Sequence, residues 1–192
     1  MEPRLKLRNM KNIFNSRRLR LLVLVLLAGG TAFVSGCSTC KPGEAGKPKV
    51  YNIEVRLDDA LKGKCQTVDV VGINPAGLAR WQEYSMSAYW KDGDPLRRDS
   101  KSERIIFSFD EGKPLTQSLS VTNPQWANWR AKGVAHLLIL AELPGHHDDK
   151  RSDSDERRLT LPLGECHWVK GTNTLNVLVQ QSGIQVLTPI RQ

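Results

Sequence analysis

The densest group of side chains that could do chemistry is His146-His147-Asp148-Asp149. Imidazole and carboxylate groups are suitable ligands for zinc, and a loop could fold them around an ion. Adjacent residues rarely point at one centre, however, and structural zinc sites have wider ligand spacing. The four residues also begin a strongly charged stretch, 146–158, which needs no ligand on a surface loop. We therefore predict no metal and no other cofactor, with metal binding by these four residues as the alternative.

Nucleophilic catalysis has little support in the residue pattern. The chain has serines and four histidines, but it has no Gly-x-Ser-x-Gly sequence and no Gly-rich phosphate loop. Cys37-Ser38-Thr39-Cys40 has the C-x-x-C spacing of redox proteins. That motif normally begins a helix inside a βαβ unit, whereas here it meets the end of an apolar run. We predict that the protein is not an enzyme.

The apolar run before these cysteines has the layout of an export signal. The basic head Arg17-Arg18-Leu19-Arg20 precedes residues 21–27, which are all apolar, and the small residues Ser35 and Gly36 come just before Cys37. A membrane-spanning helix needs roughly 20 apolar residues. This run has seven strongly apolar residues, or fourteen if it is counted to Val34. Residues 1–36 are therefore predicted as a signal peptide, with a short membrane anchor as the alternative.

The end of this signal, Val34-Ser35-Gly36-Cys37, resembles the lipobox of bacterial lipoproteins. The resemblance implies that a peptidase cuts before Cys37, which then carries a diacylglycerol thioether and an amide-linked acyl chain such as palmitate. Two or more acyl chains anchor a protein stably in the lipid bilayer. In bacteria that sort lipoproteins by the next residue, aspartate retains the protein at the inner membrane. Ser38 therefore favours the outer membrane, facing the periplasm, and a non-lipidated signal is the alternative.

The remaining cysteines are interpreted in the light of export, because disulfides persist in an oxidising compartment. With Cys37 lipidated, three cysteines remain, so at least one cannot pair within the molecule. Cys65 and Cys166 both flank predicted strands, and we predict a disulfide between them. Cys40 lies in a predicted tether, where pairing elsewhere, acylation and a free thiol all stay open.

Most of the net charge of the chain belongs to the signal. The formal net charge is +8, but residues 1–36 contain seven basic side chains and one acid. They account for +6 and leave +2 for the 156 residues that follow. A nearly neutral segment of this length favours one domain with its own core, and it gives no support for nucleic-acid binding.

Residues 37–49 are predicted as a flexible tether and residues 50–192 as the folded domain. The tether combines turn formers with charge, as in Lys41-Pro42-Gly43. After it, short apolar and β-branched runs recur between turn signals. We predict an all-β fold, an antiparallel β-sandwich of about eight strands with one short helix. The runs that favour strands are 51–57, 67–73, 81–90, 105–109, 115–121, 134–143, 159–163, 166–169, 175–179 and 184–187.

The one predicted helix follows Asn123, a good N-cap, with Pro124 as the first helical residue. Gly133 is placed to end it. Trp126 and Trp129 lie three positions apart and therefore on one side of the helix. We expect them to plug the open end of the sandwich, with an exposed aromatic patch for a partner as the alternative.

Two further stretches have distinct predictions. Residues 134–143 are the most apolar part of the chain after the signal and predict a central strand that is buried on both faces. His136 within it is expected to be a buried, hydrogen-bonded residue and not a catalytic one. Residues 96–103 are highly charged and predict an exposed loop.

The mature part also resembles the lipoprotein subunit of type VI secretion systems in its layout, with Asn74-Pro75 leading to the aromatic stretch 81–90. That family anchors an envelope complex by binding the periplasmic part of an inner-membrane partner. The resemblance implies a membrane-anchored periplasmic lipoprotein with a protein partner, acting as a non-catalytic binding or structural module of the cell envelope. The alternative is a periplasmic protein that binds a metal or small ligand through residues 146–149.

Overall fold

The computed structural model describes residues 40–191 except 42, 65 and 147. Within these residues, eight strands form two four-stranded sheets, with the orders β4-β1-β7-β8 and β3-β2-β5-β6. The strands are β1 (Asn52–Leu57), β2 (Gln66–Ile73), β3 (Arg104–Phe109), β4 (Thr116–Leu119), β5 (His136–Ala141), β6 (Arg158–Pro162), β7 (Thr174–Gln180) and β8 (Gly183–Val186). The predicted all-β sandwich is confirmed. Among the described strand pairs, only β1 with β7 is parallel.

The main core lies between the two sheets and follows from the alternation of apolar residues along each strand. Ile53, Val55 and Leu57 of β1 face the inner residues of β2 and β5 across this core. Trp126 and Trp129 are buried in the same cluster, with their ring centroids 4.9 Å apart in an edge-to-face arrangement. The two tryptophans therefore pack into the sandwich and do not form an exposed patch.

Four short α-helices accompany the described strands: α1 (Leu78–Glu83), α2 (Met86–Tyr89), α3 (Pro95–Asp99) and α4 (Gln125–Ala131). Short 3₁₀-helices are formed by Asp59–Leu61, Pro75–Gly77, Ser100–Glu103 and Ser152–Ser154. Helices α1 to α3 cover the outer face of the sheet β3-β2-β5-β6. A second apolar cluster lies beneath them and contains Val71, Ile73, Trp81, Met86, Tyr89, Leu96, Leu138 and Leu140. The predictions of a strand at 81–90 and of an exposed loop at 96–103 are therefore wrong. Both stretches belong to a third, helical layer that buries apolar surface of this sheet.

Local capping explains where these helices begin. The Ser85 hydroxyl accepts a hydrogen bond from the backbone N–H of Ala88 at 2.9 Å, and an Asp94 carboxylate oxygen accepts one from the N–H of Arg97 at 2.7 Å. Both contacts satisfy N–H groups that have no partner inside the helix. Pro95 follows its cap at the first helical position, where proline is tolerated.

The predicted helix after Asn123 is present and begins one residue later than expected. The Asn123 side chain accepts a hydrogen bond from the Gln125 N–H at 2.9 Å, and Gly133 ends the helical segment with φ +67°. The predicted strand at 166–169 is wrong, because this segment is a turn in which Trp168 forms an isolated bridge with Ile190.

Strand β5 confirms the predicted central strand, since it lies between β2 and β6 and its last five residues are buried. His136 differs from the expectation. Its Nδ1 atom is buried and has no hydrogen-bond partner among the described residues. Burial lowers the pKa of His136 below its usual value of 6.5, so the imidazole is neutral at pH 7.

The register of the strands gives the sandwich two distinct ends. Ile73 at the end of β2 pairs with His136, and His136 pairs with Pro162 at the end of β6. The N–H of Lys49, just before β1, bonds to the carbonyl of Leu163 at 2.9 Å. The start of β1 and the ends of β2 and β6 therefore share one end, which we call the proximal end. The opposite end, where β2 begins, is the distal end.

Candidate functional site

The proximal end carries a disulfide between Cys40 and Cys166, whose Cα atoms are 5.4 Å apart. The predicted Cys65–Cys166 bridge is therefore wrong, because Cys166 already has a partner. Cys65 itself lies outside the described residues, but Gln66, which follows it, begins β2 at the distal end. The eight residues of β2 span roughly 25 Å, whereas a disulfide joins Cα atoms about 4.4–6.8 Å apart.

The segment that follows Cys40 lies against the sandwich. The N–H of Cys166 donates to the carbonyl of Ala45 at 3.3 Å, and the N–H of Glu165 donates to that of Lys47 at 3.0 Å. A Cβ atom on Gly164 would lie 1.9 Å from the carbonyl oxygen of Ala45, so this close approach requires glycine. The second half of the predicted tether is thus held to the domain by backbone hydrogen bonds.

The distal end carries the predicted metal-ligand loop, in which the side chains of His146 and Asp149 have other partners and Asp148 contributes a backbone carbonyl to Arg157. The His146 Nε2 atom lies 2.7 Å from the carbonyl oxygen of Gln181. The Asp149 carboxylate accepts hydrogen bonds from the Ser87 N–H at 2.8 Å and from Arg157 at 2.9 Å. His147 lies outside the described residues. In the described part of the chain, no three His, Cys, Asp or Glu side chains are arranged to hold a metal ion.

Arg157 organises this loop from a buried position. Its guanidinium donates to both carboxylate oxygens of Asp155, at 2.9 and 2.8 Å, and to Asp149 and the Ser87 hydroxyl. It also donates to the backbone carbonyls of His146 and Asp148, both at 3.1 Å. The Asp155 side chain is fully buried. Arg157 therefore joins the loop to α2 and neutralises a carboxylate that has no access to water.

The same contacts shift the pKa values of the Asp149 and Asp155 carboxyl groups. Burial opposes the ionisation of Asp149, but hydrogen bonds from Ser85, Ser87 and Arg157 outweigh it and lower its pKa to about 2. Burial likewise opposes the ionisation of Asp155, and the hydrogen bonds from Arg157 and Lys150 lower its pKa below the usual 3.8.

We predict an acid-dependent loss of stability from these shifts. A carboxyl group whose pKa is lower in the folded state stabilises the fold above its unfolded pKa of about 4, and this contribution is lost as the pH falls towards the folded pKa. The free energy of unfolding should therefore decrease between about pH 4 and pH 2. Asp149→Asn should be less stable than the parent at pH 6 and should approach it near pH 2. Urea unfolding across this pH range measures the free energy of unfolding of the parent and of Asp149→Asn. If the two free energies changed in parallel with pH, the lowered pKa of Asp149 would be contradicted.

Arg158 holds the helical layer from the outer face of β6. Its buried guanidinium donates to the carbonyl groups of Trp81, Tyr84, Lys150 and Ser152. Carbonyl groups at the C-terminal end of a helix have no partner within the helix. Arg158 satisfies that of Trp81 in α1 and ties the helix to the charged loop. Burial lowers the pKa of Arg158, partly opposed by the negative charge of Asp155.

Asp69 is another buried charged residue and lies in the middle of β2, beneath the helical layer. One of its carboxylate oxygens accepts hydrogen bonds from Tyr89 at 2.8 Å, Arg97 at 3.0 Å and Arg104 at 3.1 Å. Burial, together with the charge of Asp69, raises the pKa of Tyr89. The Arg97 guanidinium also lies 4.5 Å from the centre of the Trp90 ring. These contacts fix α2 and α3 on the sheet.

A cleft of about 520 Å³ lies at the distal end, beside the loop that Arg157 holds. Its lining includes Lys64, Trp90, Lys91, Glu142, His146 and Arg157. The cleft combines an indole ring with cationic and anionic side chains, and Arg157 in its wall is already engaged by Asp155. Among these side chains, Arg157 also holds the distal loop in place.

No protein-family model matches the chain, and no curated protein sequence matches it. Solved structures similar to it include Serratia marcescens Lip, a membrane-bound component of the type VI secretion system. That likeness has 11% identity and a TM-score of 0.45, and it covers 72% of this chain and 96% of the other. The C-terminal domain of the type VI secretion protein TssM from EAEC has 8% identity and a TM-score of 0.46, with coverages of 71% and 99%. The lipoprotein TssJ1 of Pseudomonas aeruginosa has 11% identity and a TM-score of 0.45, with coverages of 76% and 98%. Because these TM-scores are low, the sandwich is assigned from the strand pairing of this chain.

Proposed function

We propose that the protein is an exported lipoprotein, anchored by acyl chains on Cys37, whose sandwich is a non-catalytic binding or structural module of the cell envelope. The Cys40–Cys166 disulfide carries this proposal. Disulfides persist in oxidising compartments such as the periplasm and are rare in the cytosol. The bridge therefore supports export independently of the signal-like sequence that precedes it. No helix in the described part of the chain is long and apolar enough to cross a membrane.

The non-catalytic part of the proposal rests on what the buried charges do. Shifted pKa values are common in active sites, where they serve proton transfer or nucleophilic attack. Here the buried charged groups Asp69, Asp155 and Arg157 are engaged with one another or with groups of the helical layer. Their charges hold α2, α3 and the distal loop in place. Because these charged groups hold the fold together, they favour a non-catalytic binding module over an enzyme.

The partner in this proposal is a protein, and the distal end is the surface offered to it. The acylated residue precedes the proximal end, so the distal cleft and loop face away from the bilayer that holds the acyl chains. In its more specific form, the proposal places the protein at the outer membrane, on the basis of Ser38. Its partner would then be the periplasmic part of an inner-membrane protein of a type VI secretion system, as the resemblance in layout implies. Cross-linking of the full chain in its native cells, followed by mass spectrometry, tests this partner.

The anchor has a direct test in Cys37→Ala. The variant should incorporate no fatty acid, because it lacks the thiol that receives the diacylglycerol. Ser38→Ala keeps that thiol and should stay in the membrane fraction. Fractionation, together with labelling by a radioactive fatty acid, measures both effects. An unlabelled parent protein, or a Cys37→Ala protein that takes up the fatty-acid label, would refute the lipoprotein proposal.

A further inference from the structure

Val169, Leu187 and Ile190 are large apolar side chains that are exposed at the proximal end of the sandwich. The exposed fractions are 46% for Val169, 49% for Leu187 and 51% for Ile190. The two segments that carry them are joined, since Trp168 bridges to Ile190 and the Val169 N–H donates to the carbonyl of Pro189 at 3.4 Å. We call this surface, formed by Val169, Leu187 and Ile190, the proximal apolar patch.

The disulfide lies next to this patch. Cys166 is three residues before Val169, and the N–H of Arg191 donates to the carbonyl of His167 at 2.9 Å. The exposed charged residues of the surrounding segments are Lys41, Glu44, Lys47, Glu165, Lys170 and Arg191. Four cations against two anions give the surface a positive balance, which favours anionic lipid headgroups.

The chain length before the disulfide brings this end to the bilayer. Three peptide links join Cys37 to Cys40 and reach at most about 11 Å, since consecutive Cα atoms are about 3.8 Å apart. The headgroup layer on each side of a bilayer is roughly 5–8 Å thick. Because the disulfide fixes Cys40 to the sandwich, residues 41–49 add no length to the tether. Acyl chains on Cys37 would therefore hold the proximal end in or beside the headgroups.

We propose that the proximal apolar patch is a membrane contact surface, in which Val169, Leu187 and Ile190 enter the headgroup region of the bilayer that holds the acyl chains. This inference rests on the proposed lipidation of Cys37. It adds a fixed orientation to the anchor: the sandwich sits on the membrane by one end, and the distal cleft faces away from it. The disulfide has a positioning role in this arrangement, because it shortens the link between lipid and domain.

Site-specific photo-cross-linking of the full chain in cells tests this orientation. The photo-reactive residue benzoylphenylalanine replaces Ile190 in one variant and Ile106 in another. Ile106 is a matched control, since it is equally exposed at 51% and lies in the middle of β3, on the outer face of the other sheet. After illumination, mass spectrometry should find phospholipid adducts at position 190 at least five-fold more often than at position 106.

The same samples separate this inference from the lipoprotein proposal. The mass of the N-terminal peptide reports acylation of Cys37, and fractionation reports membrane association. If the protein is acylated and membrane-bound but position 190 gives protein adducts only, or no adducts, the contact surface is refuted and the lipoprotein proposal stands. If the protein is not acylated, both are refuted. A Cys40→Ser/Cys166→Ser variant, which keeps the acyl chains, should lose most lipid adducts at position 190, and unchanged adducts would refute the positioning role.

Discussion

Arg157→Met should lower the free energy of unfolding by about 3–5 kcal/mol, the usual cost of leaving a buried charge without its partner. The substitution leaves the fully buried Asp155 carboxylate without the guanidinium that contacts both of its oxygens. It also removes the hydrogen bonds to Ser87 and to the distal loop. Urea unfolding at pH 7, followed by tryptophan fluorescence, measures the change. The proposed binding of a protein partner at the distal cleft should weaken as well, because the loop loses its attachment to α2.

Arg98→Met is the matched control, because it removes an arginine whose ion pair with Asp99 is exposed on both sides. Exposed pairs contribute about 0–1 kcal/mol, so this variant should remain close to the parent. The double variant Asp155→Leu/Arg157→Met should be more stable than Arg157→Met alone, since it removes the unpaired charge. Equal losses in Arg98→Met and Arg157→Met would show that burial of the Asp155–Arg157 pair does not determine its energy.

Loss of the Cys40–Cys166 disulfide should cost about 2–5 kcal/mol of unfolding free energy, the range observed for native disulfides. The bridge joins residues 126 positions apart, and a loop of this length corresponds to about 5 kcal/mol in the chain-entropy model. Cys166→Ser should therefore unfold at a clearly lower urea concentration than the parent, with a steeper slope, because its unfolded state is less compact. Reduction of the parent with a thiol should reproduce the loss.

Peptide mapping distinguishes the two possible partners of Cys166. A digest of the non-reduced parent should contain a peptide pair linked through Cys40 and Cys166, and Cys65→Ser should leave this pair intact. A pair linked through Cys65 and Cys166 would contradict the structure and restore the prediction from sequence. Equal stability of the parent before and after reduction would show that the segment before β1 contributes little to the fold.

The two-sheet architecture could be predicted because it depends on local patterns. Tyr51, Ile53, Val55 and Leu57 alternate with polar residues, and the structure buries all four, the last three on β1 and Tyr51 just before it. The polar stretch 180–183 predicts a turn, and it joins β7 and β8 as an antiparallel hairpin. Such signals need only neighbouring residues, because the side-chain period of a strand is two.

The helical layer was missed because two patterns coincide over residues 81–90. Aromatic and apolar residues at every second position are typical of a strand, but here α1 and α2 bury Trp81, Met86 and Tyr89 on the outer face of a sheet. Residues 134–143 carry a signal for this helical layer. They predict a strand that is buried on both faces, whereas a two-layer sandwich covers only one face of each sheet. The second face required a further layer.

The buried charges and the correct cysteine pair could not be derived from local patterns. Asp69 interrupts an apolar strand and, by its burial, indicates cationic partners, but Arg97 and Arg104 are identified only when the helices are placed. Likewise, Cys65 and Cys166 both flank predicted strands. Only the strand register shows that Gln66 and Pro162 belong to opposite ends of the sandwich.

The position of β1 in its sheet has a consequence for the order of events during biosynthesis. This first strand pairs with β4 and, in parallel, with β7, so its second partner is complete only when residue 180 has been made. Folds dominated by such distant pairings form slowly, because a long loop must close before any contact is gained. The sheet β4-β1-β7-β8 can therefore close only after most of the chain has been made. Late closure of this sheet is compatible with the proposed export, in which the chain would cross a membrane before it folds.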